Sequence, residues 1–356
     1  MNIIHLVSNK VWGGGERYAL DLCKALRADG HRVSVFTRNR PAVRTLFAAE
    51  QLLAGTMRLG GPLDILTPLR LASRLNHTDG PVIIHVHNFK DAATAISARR
   101  LCRSPHQVKI IATRHLVKAA KTDPSHTAVY AALDAIVFVS RLALDEFLSS
   151  DPEVDRSRLH VIHNAVAIPP CPRANRADGP VNLIFAGRIV PEKGLGVLIE
   201  ALGKLQDTDW RLTVCGTGSG KDVMPLVARA RQLGIDSRID WKGHVDNVID
   251  EFAQADVAIA PSIWREPFGL TILEAMSQGL PVITTDNGAQ REFMKDGADG
   301  ILVPPSNPTA LAAAISRLVS DPALRADMGR HACDTYTARL SYDRFYKSIL
   351  ALYNGL

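Results

Sequence analysis

Short β-branched runs alternate with amphipathic helical stretches along almost the whole chain, and the alternation is interrupted once. Parallel strands need a crossover long enough to hold a helix, so this rhythm marks βαβ units stacked on a parallel sheet. In the first half the runs are IIHLVS, RVSVFT, VIIHVH, KIIATR, AIVFVS and HVIHN. In the second they are VNLIFAG, RLTVCGTG, RIDWKGH, DVAIAPS, PVITT and GILVPP. Between the halves lies AVAIPPCPRANRADGP (165–180), with four prolines and no periodicity. We therefore expect an α/β chain of two Rossmann-like, doubly wound parallel-sheet domains facing across a cleft. The first covers residues 1–165, a linker 166–180, the second 181–340, and an amphipathic closing helix 341–356. Every strand of the second half except the last is expected to lead toward a helix. Ligands of such sheets gather beyond the C-terminal ends of the strands.

At 356 residues the chain is long enough for two cores. No apolar run approaches the roughly 18 residues of a membrane span, and MNIIHLVSNK reads as a first strand rather than a secretion signal. Cys23, Cys102, Cys171, Cys215 and Cys333 are scattered without a CxxC, which fits a reduced, cytoplasmic setting and speaks against a disulfide framework or a zinc site. The charge is uneven. Residues 1–165 carry 22 Lys+Arg against 14 Asp+Glu, whereas 166–356 carry 20 against 22. A basic first half suggests an anionic partner, either a phosphorylated or lipid-linked acceptor or the anionic inner face of the cytoplasmic membrane. Arg70, Arg74, Arg99, Arg100, Arg103, Lys109, Lys118 and Lys121 concentrate that charge. No nucleic-acid motif or aromatic interleaving accompanies it, so nucleic acid is not expected.

Gly13-Gly14-Gly15 stands between the first strand and a helix read as Glu16–Asp29. Three glycines allow close backbone approach to a phosphate or sugar and permit positive φ, although a plain flexible turn uses glycine too. CGTGSGKD (215–222) is neither a P-loop nor a dinucleotide fingerprint. Cys215 stands where a P-loop glycine is needed, Asp222 where Ser or Thr belongs, and the third glycine gap is wrong. It reads as a tight strand-to-helix turn. His85 and His87 share one strand face without an accompanying carboxylate or cysteine set, and no metal site is expected. His115 follows the run KIIATR at its C-terminal end, where a polar side chain is a candidate substrate contact.

Two stretches carry more. Arg188 and Lys193 lie in the strand-to-helix loop of FAGRIVPEKGLGVLIEAL, where two cations before a helix start can clamp a diphosphate without a metal. In REPFGLTILEAMSQGLPV, a helix is expected over 270–277, with Gly279 and Pro281 as its stop signals. Its leading amides at Gly269, Leu270 and Thr271 suit an anion. Glu274 is then too negative to touch that diphosphate and fits a neutral hydroxyl such as a ribose. Glu266, in the preceding loop, can read sugar hydroxyls.

These residues resemble the retaining GT-B glycosyltransferases of family 4. The likeness runs nearly end to end through GGGE, TRH (113–115), VIHNAV (161–166), GRIVPEKG (187–194) and the Glu-x7-Glu element of EPFGLTILEAMSQGLPVI. The sequence departs modestly, with Gly288-Ala289 where the family has Gly-Gly and Ala165 where it has Gly. The resemblance implies a donor site of Arg188, Lys193, Gly216, Gly243, Glu266, Phe268, Gly269, Leu270, Thr271 and Glu274. It places His115, Glu266, Arg188 and Lys193 at the chemistry and Gly13, Gly14 and Gly15 at the acceptor or phosphate. It implies transfer from a nucleoside-diphosphate sugar, UDP-sugars first, to a saccharide or lipid-linked acceptor of the cell envelope, with no metal or other cofactor. A non-catalytic nucleotide-sugar-binding protein or a sugar-nucleotide epimerase on the same fold are the rival expectations.

Overall fold

The described strands form two all-parallel sheets, each built outward from its own first strand. The computed structural model describes residues 1–59, 64–170 and 179–356. They divide into Met1–Asn164 with Asp343–Leu356, and Ala165–Tyr342. Most of the expected linker, including Cys171, lies outside the described residues; Cys23, Cys102, Cys215 and Cys333 are free and buried.

In the first unit the strands are β1 (Asn2–Val7), β2 (Arg32–Thr37), β3 (Leu53–Thr56), β4 (Val82–Val86), β5 (Val108–Arg114), β6 (Ala135–Phe138) and β7 (Leu159–Val161), ordered β3-β2-β1-β4-β5-β6-β7. Strand β3 was not foreseen, because LAGT is short, sits at the sheet edge and is nowhere fully buried. The first helix, Gly14–Ala28, starts two residues before its expected place. Gly14 and Gly15 therefore belong to its first turn rather than to a loop, and Gly13 is extended at φ −166°. The positive φ allowed for in this stretch is absent from all three glycines. Leu6, Ile84, Val86, Ile110, Ile136 and Phe138 pack with Phe147 on one side of the sheet, while Val7, Cys23, Val35 and Phe47 pack on the other. Strands covered on both faces can be near-continuously apolar, which is how β4 (VIIHV) reads. The closing helix, Tyr342–Asn354, belongs to this unit: Phe345 meets Tyr18 edge-on, and the Tyr346 hydroxyl donates to Asp29 at 3.0 Å.

The second unit repeats the plan with β8 (Val181–Ala186), β9 (Trp210–Cys215), β10 (Ile239–Gly243), β11 (Val257–Ala260), β12 (Val282–Thr285) and β13 (Gly300–Val303), ordered β10-β9-β8-β11-β12-β13. Contrary to expectation, the last strand does lead into a helix, Pro308–Ser320. Asn307 accepts from Ala310 N, and Pro308 takes the first-turn position that needs no N–H. Leu183, Phe185, Leu212 and Val214 of β8 and β9 join Leu198, Leu202 and Ile315 of the helices in one core. In both units the order reverses beside the first strand, between β1 and β4 and between β8 and β11. A crevice opens at such a reversal because the crossovers leave toward opposite sides. Among the described residues no helix is long and apolar enough to cross a membrane.

Candidate active site

The reversal in the second unit is where the expected donor residues meet. The chain leaves β8 through Gly187 (φ 150°) into a loop bearing Arg188 and Lys193, and leaves β11 through Pro261–Gly269. Glycine is required here by space. A Cβ on Gly194 would lie 1.9 Å from the Pro261 carbonyl oxygen, and one on Gly216 would lie 1.8 Å from that of Gly187. The strand ends are laced together by Gly187 N donating to Cys215 O at 2.9 Å and Gly216 N to Gly243 O at 2.7 Å. Gly216 and Gly243, both expected at the donor, thus build the rim through backbone, at φ 147° and 68°. A cavity of about 330 Å³ adjoins this rim, lined by Val190, Pro191, Leu195, Lys221 and Pro225 among others.

Lys193 and Glu266 stand across the reversal. The Lys193 ammonium donates to Glu266 Oε2 at 2.6 Å. The same oxygen receives the Trp264 indole N–H at 3.0 Å and the Ser262 hydroxyl at 3.3 Å. Neither Trp264 nor Ser262 was among the expected residues; the signal available was their spacing of two and four before Glu266 in a loop at a strand end. Arg188 is exposed, as a residue waiting for a polyanion can be. Beyond Glu266, Phe268 is buried against Phe293, and Gly269 caps the helix Leu270–Ser277 from the left-handed region at φ 93°. That helix runs as the sequence predicts, so the amides of Gly269, Leu270 and Thr271 lie at its start. Glu274 lies one turn in and is buried.

In the first unit the counterpart reversal holds aromatic and imidazole rings. His5 of β1 pairs in register with His85 of β4, and His87 follows, so the strands stack three histidines on one face. His5 Nδ1 lies 2.9 Å from His87 Nε2, and His85 is held by Tyr353 at Nδ1 and Thr113 at Nε2, each 2.6 Å away. Their ligand atoms fall within 4.8 Å of one another, yet ligation by His85 would mean giving up one of these bonds. His5 was overlooked because its partnership depends on sheet register. Burial drives its pKa down to about 3 and that of His115 to about 4, and holds His85 and His87 well below the usual range. All four are neutral at pH 7. His115 packs at ordinary van der Waals distance, 3.5 Å, from where a Gly15 Cβ would stand, and its Nε2 is buried without a partner. Gly13 stands beside the buried Glu16, whose carboxylate receives the Asn9 amide.

Residues 12–168 match the domain described as Glycosyltransferase Family 4, and residues 172–334 the one described as Glycosyl transferases group 1. The solved structure of Anabaena Alr3699/HepE in complex with UDP and glucose superposes on the chain with a TM-score of 0.83, at 19% identity and with 100% of both chains covered. The chain belongs to the GT-B glycosyltransferases. This glycosyltransferase is 28% identical to the D-inositol 3-phosphate glycosyltransferase of Xylanimonas cellulosilytica, over 96% of its own length and 91% of that relative. It is 32% identical to the lipopolysaccharide core biosynthesis glycosyltransferase LpsE of Rhizobium meliloti, over 49% of this chain and 50% of that one.

Proposed function

We propose that the protein is a retaining glycosyltransferase that takes a sugar from a UDP-sugar and delivers it to an anionic saccharide or lipid-linked acceptor in cell-envelope polysaccharide or lipopolysaccharide synthesis. The observation that carries this reading is the meeting of Lys193 and Glu266 at the sheet reversal, beside a helix start and a rim that only glycine can form. Arg188, Lys193 and the amides of Gly269, Leu270 and Thr271 hold the diphosphate; Glu266 reads the sugar, and Glu274 the ribose. The acceptor oxygen bonds to the anomeric carbon as the bond from that carbon to the diphosphate breaks, and the acceptor's proton passes to a phosphate oxygen. Electrostatic stabilisation of the leaving diphosphate drives the step, so no carboxylate needs to act as nucleophile, and the two-carboxylate scheme of glycosidases is not needed. Cations and helix amides do here what a metal would do. His115 offers a neutral ring with an unpartnered nitrogen to a sugar hydroxyl.

The anionic acceptor is supported by the basic first unit, in which Arg70, Arg74, Arg100, Arg103, Lys118 and Lys121 are exposed. Arg99 and Lys109 both face Asp134, at 2.7 and 3.6 Å, and so serve the fold. On the helix Leu66–Asn76, Leu66 and Leu69 are exposed beside Arg70 and Arg74, which suits attachment to the inner face of the cytoplasmic membrane. The relative's acceptor, D-inositol 3-phosphate, carries the same kind of charge, and LpsE works on lipopolysaccharide core. The deciding experiment is a thermal-shift panel of UDP, GDP, ADP and NAD with and without EDTA. A shift with UDP that survives EDTA and disappears in Arg188→Ala is expected; no shift with any nucleoside diphosphate overturns the donor site. The anomeric configuration of the product by NMR tests retention, and sedimentation with anionic vesicles at low and high salt tests attachment.

A further inference from the structure

We propose that the Lys193–Glu266 ion pair is a latch that the donor diphosphate opens. Trp264 and Ser262 are positioning residues that keep Glu266 in place for the donor sugar after Lys193 has left. The proposal rests on the donor reading above and adds to it an order of recognition: diphosphate first, sugar second.

Three donors converge on Glu266 Oε2, one more than a carboxylate oxygen's two lone pairs serve at full strength. They are not equivalent. Ser262 and Trp264 sit on the same loop as Glu266, and Ser262 is buried. Lys193 reaches in from the other loop on a flexible four-carbon stem. It is therefore the donor that can leave, and a diphosphate, with more charge and more acceptor oxygens than one carboxylate, gives it reason to. Glu266 is only 9% exposed. A carboxylate that sheltered, stripped of its cation, must find other donors, move or take up a proton. The indole N–H and the serine hydroxyl are already bonded to it, so it stays, charged and now open to a sugar hydroxyl. The Trp264 ring also lies 5.6 Å from the Lys193 ammonium, close enough to attract the cation through its face.

These side-chain bonds are not needed to shape the loop, because separate bonds already do so. Thr285 donates to Ser262 O at 2.7 Å, Asn287 to Ile263 O at 3.0 Å, Ile263 N to Glu192 O at 2.9 Å and Ala289 N to Glu266 O at 3.0 Å.

Calorimetric titration with UDP and with UDP-glucose, on wild type, Glu266→Gln, Trp264→Phe and Ser262→Ala, separates the roles. Glu266→Gln leaves Lys193 unlatched and is expected to bind UDP about 5-fold more tightly than wild type, the factor set by a partly exposed ion pair. It also loses the wild-type preference for UDP-glucose over UDP. Trp264→Phe keeps its UDP affinity within about twofold but loses about tenfold for UDP-glucose, the weight of a hydrogen bond to a charged group. Ser262→Ala follows in the same sense with a smaller change. The indole N–H resonance of Trp264, assigned by its absence in Trp264→Phe, moves in Glu266→Gln and holds its place when UDP binds wild type. Equal loss for UDP and UDP-glucose in Trp264→Phe, or no tightening for UDP in Glu266→Gln, overturns the latch. Wild type that binds no UDP refutes the donor reading instead. An indole resonance that does not move in Glu266→Gln refutes the latch on its own, with no nucleotide present.

Discussion

Acid should unfold the first unit well above the pH range in which ordinary carboxylates titrate. His5, His85 and His87 are at most 5% exposed, and burial holds each of them neutral, with His5 down to about 3. In the unfolded chain they return to the ordinary value near 6.5. A folded-state pKa below the unfolded one means the unfolded state binds more protons, so stability is fully present above about pH 6.5 and is lost as pH falls. At pH 5 His5 costs about 2 kcal/mol and His115, which burial brings down to about 4 in the same unit, about 2 kcal/mol more, with His85 and His87 adding to the loss in the same direction. Asp91 works the other way. Burial raises its pKa to about 6, so the folded unit takes up its proton first and gains about 1 kcal/mol by pH 5. The net loss from His5, His115 and Asp91 alone is about 3 kcal/mol, a large share of the whole stability of an ordinary domain. Urea titrations followed by circular dichroism at pH 7.5, 6 and 5 measure it, and limited proteolysis at pH 5 locates it. Cleavage should concentrate in Met1–Asn164, since in the second unit His244 and His331 lie exposed at the surface. His5→Asn should shrink the pH-dependent loss by about 2 kcal/mol, one histidine's share. A stability that stays within about 1 kcal/mol between pH 7.5 and 5 would refute the reasoning.

The glycine rim makes a sharper steric prediction: Gly216→Ala places a methyl 1.8 Å from a carbonyl oxygen at φ 147°, and should cost about 3 kcal/mol or more and abolish nucleotide-induced thermal shifts. Gly220→Ala, where a Cβ meets nothing within 4 Å, is the control and should leave the melting temperature within a degree or two, as expected for a small change at a helix start. Tyr353→Phe strands His85 Nδ1 in the interior and should cost about 1–3 kcal/mol in urea, with no effect on binding of UDP.

The parallel sheets and the helix Leu270–Ser277 were legible because each has a local cause. Period-two runs separated by helical spacing leave few alternatives, and a helix bounded by two glycines with proline just beyond announces both ends. What could not be read was set by neighbours distant in sequence. Strand β3 has too few residues to show an alternation and exists because β2 offers it an edge. Two of the eight cations expected to meet an anionic partner face Asp134 instead, which charge counting has no means to detect.

The two sheet reversals also show why one kind of functional side chain is easier to find than another. In the second unit the informative groups are charged, and a charge on a loop at a strand end has few structural reasons to be there. In the first unit they are imidazoles inside strands, where a neutral ring packs much as an aromatic one does; His85 and His87 stack at 4.5 Å between centroids. Alternation reveals that two of them share a face but says nothing of the third, because His5 reaches them through the pairing of β1 with β4. Their count decides their physics. One buried neutral histidine is a modest acid liability, whereas three in mutual contact, with His85 bonded to Tyr353 of the closing helix, tie the C-terminal segment and the first strand to the same protonation event. Loss of that helix alone at pH 5, with the sheet intact, would show that the two are not coupled. Simultaneous loss of both is the outcome the geometry requires.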